Sequence, residues 1–147
     1  MKYSHRLSDA VHLLAYVDIY QDGDLSSNAI ASSIESNPSL VRRLMSRLVK
    51  AGLLTSAPGK VAPKLARPAS EITLLMIYRA AEDNQQLLHI DDKTNPQCIV
   101  GGNIQQTLDG VYDQIQKQAE QTMAGISLQG IIDEILTREA AREATSR

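Results

Sequence analysis

The chain has no phenylalanine, no tryptophan and a single cysteine in 147 residues. Its core must therefore be aliphatic, built from Leu, Ile, Val, Met and Ala, which suits closely packed helices. One cysteine excludes an internal disulfide, and the chain reads as a cytoplasmic protein. No apolar run approaches the ~20 residues needed to cross a bilayer, and the opening Met1-Lys2-Tyr3-Ser4-His5-Arg6 lacks a secretion-type apolar segment. No phosphate-binding glycine loop and no Ser/His/Asp or Cys/His arrangement is readable, so the chain is not expected to be an enzyme. His5 and His12 share a helix face but stand two turns apart without a third ligand. The set His89, Asp91, Asp92 and Cys98 matches no regular metal spacing.

The most informative absence is local. Between Ser36 and Ser70 there is no Asp or Glu, while Arg42, Arg43, Arg47, Lys50, Lys60, Lys64 and Arg67 contribute +7. From Glu71 onward, 12 acids face 6 basic residues, so the overall charge of −2 conceals two opposite halves. A mildly acidic protein with one concentrated basic segment is built to meet a polyanion there. The apolar fraction of 43% is enough for a real core, in one compact domain or a small domain with an extension.

The basic segment is centred on a marked helix, Asn37 to Gly52. Asn37 suits the N-cap, Pro38 the first helical position, and Gly52 the left-handed closing conformation. Leu40, Leu44 and Leu48, flanked by Val41, Met45 and Val49, predict a buried stripe. Ser39, Arg42, Arg43, Ser46, Arg47 and Lys50 occupy the remaining face, which is what a DNA major groove accepts.

Before it, a first helix is predicted over Ser4–Tyr20, and Ser26 caps a short second helix that ends by Glu35. Leu25 outside that cap and Ile30 inside it form a hydrophobic staple, and the device recurs at Ile72 with Ile77 and at Ile126 with Ile131. A short helix, a tight turn and a basic second helix make a helix-turn-helix pattern. Leu53–Ser56 and Val61–Ala66 then read as a hairpin wing, with Pro63 demanding an edge or an irregularity and Lys60 and Lys64 near the tip. Lys2, His5, Arg6 and Arg67 are further candidates for phosphate contact.

A fourth helix is predicted over Leu74–Ala81, followed by a loop over Asn84–Pro96 and the stretch Cys98-Ile99-Val100-Gly101-Gly102. The longest helix should run from Asn103 to about Met123. Ile104, Leu108, Val111, Ile115 and Ala119, with Tyr112 beside them, form a narrow seam that suits pairing with a second subunit. A last helix from Ser127 to about Glu143 should turn Leu128, Ile131, Ile132, Ile135 and Leu136 inward, with a fraying charged tail. The expected organisation is a winged helix-turn-helix head (1–82), a loop and possible sensor region (83–102) and dimerisation helices (103–147). The fold class is mainly α with a small β-hairpin wing.

In order and spacing, several motifs resemble the Rrf family of winged-helix transcriptional regulators (IscR, NsrR and CymR types), most closely a YwnA-like branch. They are Asn37-Pro-x-x-Val-Arg-Arg-Leu-Met, Leu48-Val-Lys-Ala-Gly-Leu-Leu, Ala66-Arg-Pro with Glu71-Ile-Thr-Leu, and Cys98-x-Val-Gly-Gly-Asn-Ile-Gln. The resemblance implies a homodimer whose long helices cross and whose two heads bind double-stranded operator DNA, most simply as a repressor. It also implies, in many members, an iron–sulfur cluster held by three cysteines and one further ligand. This chain departs from that pattern. Cys98 stands at the last cysteine position, but six and twelve residues earlier are Asp92 and Gln86, and three residues later is Gly101. Thiolate ligation of a cluster needs more than one cysteine, so no cofactor is expected. The wing also has fewer glycines than the family's usual Gly-Gly-Gly-Tyr tip.

Within this reading, Ser39, Arg42 and Arg43 are placed for base edges. Arg47, Lys50, Lys60 and Lys64 are placed for phosphates, with Ser46 on the same front. Cys98 is a candidate thiol sensor, set against the plainer reading of a small buried apolar residue. The alternative function is a winged-helix adaptor that binds protein or RNA without regulating transcription. The effector, whether an oxidant or a small molecule, is not legible.

Overall fold

The structure, a computed structural model, describes residues 3–57 and 61–146. Its elements are α1 (Arg6–Ile19), α2 (Ser27–Ile34), α3 (Pro38–Lys50), β1 (Leu54–Ala57), β2 (Val61–Leu65), α4 (Leu74–Ala81), α5 (Ile104–Ala124) and α6 (Leu128–Thr145). A 3-10 turn at Ala69–Glu71 leads into α4.

Side chains mark most helix starts. Ser26 Oγ accepts from the Ala29 N–H, Asn37 Oδ1 from Leu40, Thr73 Oγ1 from Met76 and Ser127 Oγ from Gly130. Each satisfies an amide that the first helical turn leaves without a partner. The start of α1 is capped from a distance instead, since Glu82 Oε1 accepts from the Leu7 N–H and the Ser4 hydroxyl. Two backbone specials shape the head. Glu35 closes α2 at φ 58, and Gly52 follows α3 at φ 75. The left-handed region is free of cost for Gly52; at Glu35 it tightens the turn into α3 against a steric cost of roughly 1–2 kcal/mol.

The core is aliphatic. Leu13, Leu14 and Val17 of α1 meet Ile30 of α2, Val41, Leu44 and Leu48 of α3, Leu54 of β1 and Ile77 of α4. The stripe on α3 holds at Leu44 and Leu48, but at its first turn Val41 and not Leu40 faces the core. Val41, Leu44 and Leu48 are buried, whereas Leu40 is 46% exposed and Val49 also faces out. On α4, Tyr78 is buried beside Ile77 and Ala81, and Leu74 is only half-buried.

The wing is an antiparallel pair with Leu54 opposite Leu65 and Thr55 opposite Lys64. Its register then slips by one residue to Ala57 opposite Val61. The slip falls where β2 carries Pro63, which has no N–H for the ladder. The hairpin tip lies outside the described residues.

The last helix belongs to the head. Leu128 and Ile132 join the same core cluster as Leu13 and Ile77. Thr73 and Ser127 form an antiparallel bridge, with the Leu74 N–H donating to Ile126 O and the Leu128 N–H to Ile72 O, both at 2.8 Å. Two of the three staple sequences thus meet as a pair. The segment 103–147 is accordingly not one packing unit: α6 enters the core of the head, while α5 lies against α4 without entering that core. The predicted inward face of α6 extends too far, because Ile135 and Leu136 are exposed. Its tail does not fray within the described residues. The helix continues to Thr145, with Arg138 paired to Glu134 and Arg142 to Glu139.

No residue of the 21-residue α5 is buried. It lies against α4 through an Arg79–Glu120 pair at 2.9 Å and carries the preceding loop on Gln116. Gln116 Oε1 accepts from the Leu87 N–H and its Nε2 donates to Gln85 O.

Candidate nucleic-acid interface

The front of α3, opposite Val41, Leu44 and Leu48, presents Ser39, Arg42, Arg43, Ser46 and Lys50 to solvent. None of the three cations among these has an acid partner among the described residues, and neither has Lys64 on β2. In the other half of the chain, Arg79, Arg138 and Arg142 are all paired. Unpaired cations gathered on one surface keep their field for a polyanion.

Arg47 is placed differently from its neighbours. It sits on the flank of α3, where its Nη2 donates to Asp83 Oδ1 at 2.6 Å and its Nη1 to Ala81 O at 3.2 Å. Arg6 Nη1 meets the other Asp83 oxygen at 2.6 Å. Hydrogen bonds from Arg47, and then from Arg6, hold the Asp83 carboxyl below its ordinary pKa. Sequence spacing offers no hint of this bridge, because Asp83 lies 36 residues from Arg47 and 77 from Arg6. Arg67 is exposed, with one long contact from Nη1 to Met76 Sδ at 3.6 Å. Lys2 and Lys60 lie outside the described residues.

A short helix meeting a basic helix through a tight turn, with a hairpin behind it, is the frame of a groove-reading head. The protein-family model described as iron-dependent transcriptional regulator, Rrf2, matches residues 3–134. The chain belongs to the Rrf2 family. It is similar to YwnA of Bacillus subtilis (strain 168), which is named as an HTH-type transcriptional regulator. The two are 35% identical over 130 residues, covering 88% of this chain and 96% of YwnA. A crystal structure of a protein named as DNA-binding is 36% identical, with a TM-score of 0.69, over 86% of this chain and 98% of that one. The fold also matches IscR of T. potens, at a TM-score of 0.66 and 21% identity over 92% and 88% of the two chains. This Rrf2 protein is a DNA-binding transcriptional regulator, as its relatives are named.

The iron in the family's description finds no matching donor set here. Cys98 is the only thiol in the sequence, and Gly101 has no side chain to offer. A Cβ at position 101 would run into the backbone of Asn95, so a larger ligand residue does not fit that turn. Among the described residues, no group of three or more His, Cys, Asp and Glu is gathered closely enough to hold a metal ion.

Cys98 is exposed, against the reading of a buried small residue. It sits in a knot of turns ahead of α5 and not on the helix end itself. There the Cys98 N–H donates to Asn95 O at 3.2 Å and the Gly102 N–H to Cys98 O at 2.8 Å, while the Thr94 hydroxyl meets Gly101 O at 2.6 Å. Backbone N–H groups of Gly101, then Val100, pull the thiol below its ordinary pKa. The close approach to Asn95 is what requires Gly101.

Of the seam on α5, Ile104, Leu108, Tyr112 and Ala119 are half-buried, and Val111 and Ile115 are exposed. Between the loop and α5 runs an open groove of about 650 Å³ lined by Leu88, His89, Asp109, Tyr112, Asp113 and Gln116, which sequence spacing does not reveal. Among the described residues no helix is long and apolar enough to cross a membrane.

Proposed function

We propose that this Rrf2 protein is a homodimeric repressor that competes with polymerase for a promoter. The observation that carries the reading is α5, a helix of 21 residues with none buried and an apolar seam on which Val111 and Ile115 are 46% and 45% exposed. Its own chain leaves that part of the seam uncovered, and a second copy offers the same seam through a two-fold axis. Exposed Ile135 and Leu136 on α6 add apolar surface for the same purpose. The two heads then read half-sites about one helical turn apart.

Within each head, Ser39, Arg42 and Arg43 near the start of α3 meet base edges. Lys50, Lys64 and Lys60 anchor phosphates, with Ser46 on the same front. The protein works in the cytoplasm, without a catalytic step and without an iron–sulfur cluster. Its signal enters at Cys98, whose exposed thiol captures an electrophile in its thiolate form. The adduct alters the turns that lead into α5 and with them the spacing of the heads.

Sedimentation equilibrium of the protein alone and on promoter fragments selected from genomic DNA tests the assembly. Two chains per fragment and an affinity that falls steeply with salt are expected. One chain per fragment, or a flat salt dependence, overturns the reading.

A further inference from the structure

The basic surface is closed on one flank by an acid from a distant part of the chain. Asp83 follows the α4 cap residue Glu82 and spends both oxygens at 2.6 Å, one on Arg47 of α3 and one on Arg6 of α1. Arg47 is held a second time by Ala81 O, one of the last carbonyls of α4. Glu82 fixes the same corner by accepting from the Leu7 N–H and the Ser4 hydroxyl. The end of α4 thus grips the start of α1 and the recognition helix together. Arg43, one turn before Arg47, has no such partner among the described residues, and neither has Arg42.

A carboxylate between two guanidiniums offers them the same charge sign and the same paired oxygens that a backbone phosphate would. We propose that Asp83 is a positioning residue for DNA binding, withholding Arg6 and Arg47 from the phosphate backbone so that Arg42, Arg43 and Lys50 dominate the contact. Phosphate contacts add affinity without sequence information. Two withheld cations therefore weaken binding to any duplex while sparing base readout, and the ratio of operator to random binding rises. Arg47, although on the recognition helix, contributes nothing to the salt dependence in the wild type.

The test uses the full chain and its Asp83→Asn, Arg47→Gln, Asp83→Asn/Arg47→Gln and Arg6→Gln/Arg47→Gln variants. Association with a selected operator fragment and with a random duplex of equal length is followed from low to moderate salt, alongside thermal unfolding. Each cation that reaches a phosphate adds about 0.9 to the slope of log affinity against log salt. Asp83→Asn should steepen the slope by about 1 to 2 on both duplexes and tighten the random duplex more than the operator. Adding Arg47→Gln to it should return about 0.9 of that gain. Arg47→Gln alone and Arg6→Gln/Arg47→Gln should keep the wild-type slope. A purely structural bridge would lower the unfolding midpoint and leave the number of released ions unchanged. An unaltered slope in Asp83→Asn overturns the proposal. So does a loss of about 1.8 in Arg6→Gln/Arg47→Gln, a result that stands even if Asp83→Asn fails to fold.

Discussion

Truncating Ile115 to alanine probes the proposed assembly at an exposed point of the α5 seam with little risk to the fold. In the single chain Ile115 keeps 45% of its surface, and no residue of α5 is buried. Full burial of such a side chain is worth ~1.5–3 kcal/mol, so covering the remaining half against a second copy contributes about 1 kcal/mol. Two-fold symmetry places two copies of Ile115 in the interface, which makes the loss about 2 kcal/mol. At 1.4 kcal/mol per tenfold, the dimer dissociation constant should rise about 30-fold. Differences between variants are a sounder use of area than absolute affinities, because the ordering costs of association largely cancel. Sedimentation equilibrium gives the constant directly, and operator binding at protein concentrations below it should weaken in parallel. The unfolding midpoint at high concentration, where both proteins are dimeric, should fall modestly, and that of the head should stay. A dissociation constant within threefold of wild type would show that the seam is not the interface.

Four further outcomes follow from individual contacts. Arg43→Ala should abolish operator binding in a shift assay, at a cost of about 1–3 kcal/mol or more, with the unfolding midpoint nearly unchanged because Arg43 is exposed and has no acid partner among the described residues. Asn37→Ala removes the acceptor for the Leu40 N–H at 2.9 Å and should lower stability by about 1 kcal/mol in thermal or urea unfolding, with the first turn of α3 frayed. Alkylation of Cys98 by iodoacetamide should show a midpoint pH below that of free cysteine, since the Gly101 and Val100 N–H groups favour the thiolate. Gly101→Ala, whose Cβ meets the Asn95 backbone, should move that midpoint up. Identical midpoints in the two proteins would remove the backbone as the cause.

Local signals carried most of the fold. The caps at Ser26, Asn37, Thr73 and Ser127, the proline at 38 and the glycine at 52 act within one turn of the chain, so their effect is legible residue by residue. The start of α1 was read to within two residues, but its cap was not legible, because it comes from Glu82 on the far side of the sequence. On α3 the stripe was read correctly at Leu44 and Leu48 and missed only at Leu40, for a related reason. Leucine spacing defines an apolar arc, but the packing of α1 and α4 decides which edge of that arc is covered. The inward face of α6 was read too long because only its first turns reach the core.

The sequence by itself determined that a capped, basic, acid-free helix stands in a helix-turn-helix with a wing behind it. Short-range hydrogen bonds and charge composition require nothing else. It also shows that each chain can offer an iron–sulfur cluster no more than one thiolate. Only the tertiary structure decided which cations of that helix are free. Arg42 and Arg43 stand clear, while Arg47 is tied to an acid 36 positions away. Charge pairing depends on distance in space, and the 2.6 Å contact between Arg47 and Asp83 has no counterpart in their spacing along the chain.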